Sequence, residues 1–278
     1  MIEYAKFGNL KALIESVPES PMLRLSLAAD VGKGIQGLHE AGLIWSDVKP
    51  ENVLVFPSSK GPFPYQLKIC DFGASERVDA YSSTWTVPKG SQEWRSLFSL
   101  FWVQMSAENH MKTISVPNST QEASELENLR AEHRRHCVHF DTFVYGLLTL
   151  WIVTGSNPFS AKFLEGYREQ LSLQIKKDSV VRDVKAALQT IKVLASSIAI
   201  DARNHLNTHL SNLKARKIAT GLPDLSLLDN TDTSNTYMSE FFELAFCGDA
   251  SQGDPITRAL AKLHSYLLVD FEWVLLRN

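Results

Sequence analysis

GLIWSDVKPENVLVF, residues 42–56, holds an aspartate, a lysine two positions on and an asparagine three beyond that, just ahead of an apolar run. The three polar residues are Asp47, Lys49 and Asn52. Val53 to Phe56 is β-branched and aromatic and reads as a short strand. Pro57-Ser-Ser-Lys-Gly-Pro62 is turn chemistry. Gln66 to Cys70 alternates polar and apolar side chains, as a second strand does. Residues 43–73 therefore read as a helix end, a loop, a β-hairpin and a loop. Asp47, Lys49 and Asn52 lie at one end of the hairpin and Asp71-Phe72-Gly73 at the other. A hairpin brings its ends together, so the two clusters are expected to be neighbours.

Upstream, Ser20-Pro21 reads as an N-cap followed by proline at the first helical position. Leu27, Ala28, Val31, Ile35 and Leu38 recur at helical spacing, and Gly42 supplies the stop. Downstream, residues 74–98 read as a loop, and residues 99–118 fit no single pattern. Asn118 or Ser119 is expected to cap a helix to about His136. A separate apolar helix follows over Asp141 to Thr154, closed by Gly155-Ser-Asn-Pro158. Residues 163–213 read as mostly helical and 221–236 as loop. Helices at 237–247 and 256–270 are expected to close the chain.

The composition narrows the function. Of 278 residues 44% are hydrophobic and 21% charged, which suits a globular chain with a core of ordinary size. A formal net charge of −3 gives no electrostatic case for nucleic acid or an anionic membrane. Cys70, Cys137 and Cys247 lie far apart, so neither a disulfide framework nor a zinc motif is implied, and a reducing compartment is the simplest expectation. The first residues, with Glu3 and Lys6, lack the apolar run of a signal peptide. The apolar stretch Phe143–Thr154 is too short to span a bilayer. A cytoplasmic location is expected. The run His133-Arg-Arg-His136-Cys137-Val-His139 has ligand-like spacing but no second ligand pair, and is read as a basic solvated face.

Taken together, the motifs resemble the eukaryotic protein kinase family. Asp47-Val-Lys-Pro-Glu-Asn52 resembles its catalytic loop, and Asp71-Phe72-Gly73 its metal-binding loop. Gly90-Ser-Gln-Glu-Trp-Arg95 resembles the end of the activation segment. Asp141-Thr-Phe-Val-Tyr-Gly146, with Pro158-Phe159, resembles the central buried helix. Asp254-Pro-Ile-Thr-Arg258 resembles a turn near the domain's end, and Ile2-Glu3-Tyr4-Ala5 with Gly8-Asn9-Leu10 the hinge. The fold implied is mainly α with a small β-hairpin, like the large C-terminal lobe of a protein kinase. The expected organisation is one domain over 1–278: hinge at 1–10, catalytic and activation loops at 43–98, an unmatched insertion at 99–139 and a helical lobe at 140–278.

The resemblance implies roles. Asp47 would orient the proton of the attacking hydroxyl, and Lys49 would offset charge on the transferring phosphoryl group. Asn52 and Asp71 would hold Mg²⁺. Glu3 and Ala5 would meet the adenine of ATP through their backbone, Asn9 the ribose, and Leu10 and Leu54 the adenine face. Phe72, Gly73, Ser91, Asp141 and Arg258 would be structural. Asp141 would brace the catalytic loop, and Ser91 would tie the activation segment to Asp47. Lys49 and Ser91 resemble the Ser/Thr-directed class.

Several departures stand beside these matches. No Gly-rich loop, strand lysine or helix glutamate precedes the hinge, so the sequence is expected to start where the small lobe would end. Trp45-Ser46 replaces the usual His-Arg, removing the cation that receives an activation-loop phosphate. Ser96-Leu97-Phe98 replaces Ala-Pro-Glu, which is expected to leave Arg258 without its partner. Two functional readings follow. One is ATP- and Mg²⁺-dependent phosphoryl transfer to protein Ser/Thr; the other is a catalytically inactive, pseudokinase-like binding or scaffold module. Either implies a protein substrate or protein partner, with no nucleic acid and no membrane.

Overall fold

The structure is a computed structural model that describes residues 3–17, 19–59, 63–77, 90–107, 119–159, 180–220, 232–248 and 252–275. It is mostly helical, with two small antiparallel sheets. The expectations for 160–179 and 221–231 lie outside the described residues.

A short helix, α1, covers Leu10–Ser16, and α2 covers Pro21–Glu40. Ser20 caps α2 by accepting from the Leu23 amide, and Pro21 takes a first-turn position where its missing N–H has no cost. Gly42 adopts φ +73°, which ends the run. The helix buries Leu27, Ala28, Val31 and Ile35 on one face, as their spacing predicts. Arg24 is also buried. Its guanidinium donates to the carbonyls of Ile14 and Val153, at the ends of α1 and of the central helix. Helix C-termini leave such carbonyls open, and their dipoles favour a cation.

Strand β1 (Leu43–Ile44) is followed by a 3₁₀ turn at Pro50–Asn52. Strands β2 (Val53–Pro57) and β3 (Tyr65–Ile69) then form the hairpin, with Val53 opposite Ile69 and Pro57 opposite Tyr65. Strand β4 (Glu76–Arg77) pairs with β1, so the stretch read as loop from residue 74 contains a short strand. Two residues are too few to show alternation, which is why the pattern was not visible. A 3₁₀ turn at Gln92–Trp94 precedes α3, Leu97–Ala107.

The next helix departs from expectation. A single helix, α4, runs from Thr120 to Thr154, with no break near residue 139. No Gly or Pro stands between Ser119 and Gly146, so nothing in the sequence stops it. The boundary placed between an insertion and a helical lobe therefore falls inside one helix. The reading of His133, His136 and His139 as a solvated face is also corrected, since all three are buried. His133, His136, Cys137 and Phe140 share one helix face by their spacing, and α3 covers it. Phe98 stacks on His136 at 4.1 Å between ring centroids, and Trp102 meets His133 edge-on at 4.6 Å. Burial, with the nearby His139 and Lys192, pushes the His136 pKa well below its ordinary value. Among the described residues no group of three His, Cys, Asp or Glu side chains is placed to hold a metal.

Helices α5 (Val180–Thr220), α6 (Asp232–Cys247) and α7 (Pro255–Leu275) complete the fold. The stretch Arg135–Thr154 of α4 is long and apolar enough to cross a membrane by composition, but it is 89% buried within the fold. It is the core's axis. Phe143 meets Phe246 at 4.9 Å and Tyr145 meets Phe241 at 5.7 Å. Each such ring contributes about 1.5–3 kcal/mol by leaving water.

Two glycines of α2 test this packing. A Cβ at Gly32 would stand 2.5 Å from the Tyr145 hydroxyl and 2.9 Å from Leu260, where α2, α4 and α7 meet. At Gly37, which is exposed, a Cβ would meet nothing within 4 Å. Gly32→Ala should destabilise by about 1–3 kcal/mol through overpacking. Gly37→Ala should stabilise by about 0.5–1 kcal/mol, because alanine has less backbone freedom to lose. Denaturant midpoints of the two variants check both signs.

Candidate functional site

The loop between β1 and β2 enters on a strained residue. Ser46 adopts φ +70°, in a region that a non-glycine residue occupies only when held there. What holds it is Asp141 on α4. Asp141 Oδ2 accepts from the Trp45 amide at 2.6 Å, and Oδ1 accepts from the Ser46 amide at 2.8 Å. Trp45 is fully buried and donates its indole N–H to the Cys70 carbonyl at 3.0 Å, while Ser75 donates its hydroxyl to the Trp45 carbonyl. The loop's main chain is thus fixed from both sides before Asp47 is reached.

Asp47 lies at the centre of a polar cluster. Its Oδ1 accepts from the Ser91 amide at 2.8 Å and the Ser91 hydroxyl at 2.9 Å. Its Oδ2 accepts from Lys49 Nζ at 2.6 Å and Asn52 Nδ2 at 2.8 Å. Lys49 also donates to the Ser91 hydroxyl at 3.0 Å. Burial alone would raise the Asp47 pKa, but the Lys49 and Ser91 hydrogen bonds outweigh it and hold the carboxyl below its ordinary range. Asp47 is therefore an anion at neutral pH.

Asn52 and Asp71 approach one another through the hairpin. The Cys70 amide donates to the Asn52 carbonyl at 2.9 Å, so the residue just ahead of Asp71 is tied to Asn52. The neighbourhood expected for the two ends of the hairpin is present. Asp71 adopts φ +58°, and its Oδ1 accepts from the Gly73 amide at 3.3 Å. Asn52 uses its amide nitrogen on Asp47, and its Oδ1 accepts no hydrogen bond among the described residues. Two oxygen donors at the open end of the hairpin, where Val53 pairs with Ile69, suit a hard cation that keeps water and phosphate as its remaining ligands. Phe72 is 50% exposed and lies outside the buried core.

The first residues line the other edge of the hairpin. The Phe7 amide donates to the Val55 carbonyl and the Val55 amide to the Gly8 carbonyl, which adds residues 7–9 to the edge of β2. Asn9 bridges to Leu54 and caps α1, its Oδ1 accepting from the Ala12 amide at 3.0 Å. Glu3 pairs with Lys68 on β3, and the Ala5 carbonyl accepts from the Gly8 amide in a turn. Leu54 is half-buried. Leu10 is wholly buried beneath the strand, so it supports this surface from below and offers no face of its own. Arg258 stands apart. It lines a cavity of about 380 Å³ with Glu240, Glu243 and Lys262, and position 98, where its expected glutamate partner would stand, is a buried phenylalanine.

The sequence reading gave no role to two contributors. His39, in the last turn of α2, places Nε2 3.1 Å from Asp141 Oδ2 and Nδ1 3.2 Å from Asp254 Oδ1. A basic residue one turn ahead of Gly42 was the available signal, though such a residue is common at helix ends. Gly90 is the other. A Cβ there would stand 2.0 Å from the Ser46 carbonyl oxygen, so only glycine allows the segment to lie on the loop.

Burial by itself would lower the His39 pKa, but Asp141 and Asp254 raise it to about 9 from 6.5. Folding therefore favours the charged ring. The stabilisation is fully present below pH 6.5 and is lost as pH rises through about 9. The loss should reach roughly 3 kcal/mol, read from denaturant unfolding between pH 6 and 10, and His39→Gln should flatten it. For the segment, Gly90→Ala should free the Ser91 amide from Asp47. Its hydrogen-exchange protection should fall at least about tenfold, the size of one lost hydrogen bond to a charged group.

Residues 1–97 match the family described as protein kinase domain. The chain is 40% identical over 78 residues to "Probable serine/threonine-protein kinase gdt8" of Dictyostelium discoideum, covering 27% of this chain and 6% of that protein. It is 30% identical over 104 residues to "Dual specificity testis-specific protein kinase 2" of Homo sapiens, covering 37% and 17%. It is 40% identical over 62 residues to "Serine/threonine-protein kinase PknA" of Mycobacterium tuberculosis, covering 22% and 13%. The chain thus spans a small part of the length of the relatives it matches. Residues 1–97 are similar to the protein kinase domain family.

Proposed function

We propose that the site built on Asp47 transfers a phosphoryl group from ATP to serine or threonine hydroxyls of a protein. The observation that carries this reading is the joint placement of Asp47, Lys49, Asn52 and Ser91 in one hydrogen-bonded cluster, with Asp71 tied to it through Cys70 and Asn52. A bound Mg²⁺–nucleotide supplies the phosphoryl group and neutralises its charge. Asn52 Oδ1 and the Asp71 carboxylate would hold the cation. Asp47, kept ionised, orients the incoming hydroxyl by accepting its proton in a hydrogen bond, and Lys49 offsets negative charge on the oxygens being transferred. Leu54 and the backbone of Glu3 and Ala5 would meet the base, and Asn9 the ribose. The proposed domain comprises this loop and hairpin region together with the helices that pack on it.

A second reading, binding without transfer, is favoured by a specific feature. Asp47 already accepts four hydrogen bonds from its own chain, two on each oxygen. An incoming hydroxyl must displace one of them.

One experiment separates the readings: transfer of label from γ-labelled Mg²⁺-ATP to an unfolded Ser/Thr-rich protein, alongside nucleotide affinity. Asp71→Ala should abolish Mg²⁺-ATP binding, and unchanged affinity would remove Asp71 from the site. Asp47→Asn should retain the nucleotide and lower transfer about 10²–10⁴-fold, the usual span for a group that handles the proton. Nucleotide bound by the unaltered chain with no transfer at all would establish the second reading.

A further inference from the structure

The His39 ring is side-chain buried to 4% exposure, between Asp141 at 1% and Asp254 at 25%. Each ring nitrogen faces a carboxylate oxygen, Nε2 at 3.1 Å and Nδ1 at 3.2 Å. A neutral imidazole has one N–H and could donate to only one of them. Two carboxylate partners therefore call for the doubly protonated ring. The titratable groups that face it are Asp141 from α4 and Asp254 from the turn ahead of α7. The same Asp141 Oδ2 that meets His39 also receives the Trp45 amide, and Oδ1 receives the Ser46 amide. Ser46 is the left-handed residue immediately before Asp47.

We infer that His39 is a positioning residue for Asp47: its charged ring, anchored by Asp254, orients the Asp141 carboxylate, and Asp141 in turn fixes the Trp45–Ser46 main chain that carries Asp47. The consequence for phosphoryl transfer rests on the function proposed above; the structural coupling does not. The chain of contacts is direct at every link. Removing the ring's proton takes one donor from the pair of carboxylates. Asp141 and Asp254 then share a single N–H, and Asp141 Oδ2 is free to turn from the Trp45 amide. The coupling also joins parts of the sequence that lie far apart. Asp254 is 215 residues from His39 and Asp141 is 102, so the loop's geometry depends on helices well beyond residue 97.

The test is an NMR titration of the intact chain with labelled backbone amides. The Trp45 and Ser46 amide signals, both hydrogen-bonded to Asp141, are followed from pH 6.5 to 10.5 together with the His39 ring signals. The expected result is one shared midpoint near pH 9. Asp254→Asn should lower it for the ring and both amides alike. His39→Gln at pH 7 should already show the amide shifts that the unaltered chain reaches above its midpoint. The inference is overturned if the His39 ring titrates while the two amides stay still. It is equally overturned if the amides hold their positions until the whole chain unfolds. An ion pair that merely stabilises the fold would give one of those two outcomes. Label transfer measured on the same variants is independent: its absence in the unaltered chain would remove the proposed function and leave the amide result standing.

Discussion

A buried carboxylate that receives two consecutive backbone amides is the constraint on which the rest of this site depends. Asp141 is almost wholly inaccessible, so its charge must be met by donors, and the Trp45 and Ser46 amides and His39 meet it. Buried amides need partners as much as the carboxylate does. The pairing therefore satisfies both sides and sets the backbone at a conformation it would not otherwise choose. Everything that follows along the chain, from Asp47 through Lys49 to Asn52, inherits its position from that grip.

The grip works because α4 is deeply placed. Asp141 can hold the loop only if its own helix is immobile, and α4 is fixed by aromatic contacts to α6 and by the close approach of α2 at Gly32. The buried histidines on its earlier turns extend the same helix beneath α3. A core of this density transmits position because it has little room to deform.

Much of this was legible in the sequence because local chemistry and tertiary role agree there. Ser20-Pro21 and Gly42 mark the ends of α2, and alternation marks the hairpin. The spacing of Asp47, Lys49 and Asn52 places them on one short loop. What was not legible depended on partners distant in sequence. His133, His136 and His139 look like a polar run until α3 covers them, since periodicity shows that a face exists and not which element packs on it. The merger of two expected helices into α4 was hidden by the change from a charged to an apolar stretch, which alters burial without breaking the helix. His39 gives no sign that two carboxylates will flank it, and Gly90 none that a carbonyl lies where its side chain would be.

The ion pair between Asp47 and Lys49 has a further effect on what the site attracts. These two charges cancel at contact distance, and Asn52 is neutral, so Asp71 carries the unbalanced charge of the four residues. Among these four residues the unbalanced formal charge is thus negative. A polyanionic nucleotide approaching alone meets repulsion, whereas a divalent cation is drawn in, and a nucleotide already carrying its cation arrives with much of its charge masked. For the function proposed above, this arrangement would bias the site toward the metal-laden form of the nucleotide before any specific contact is made, and toward losing both together when the metal is withdrawn.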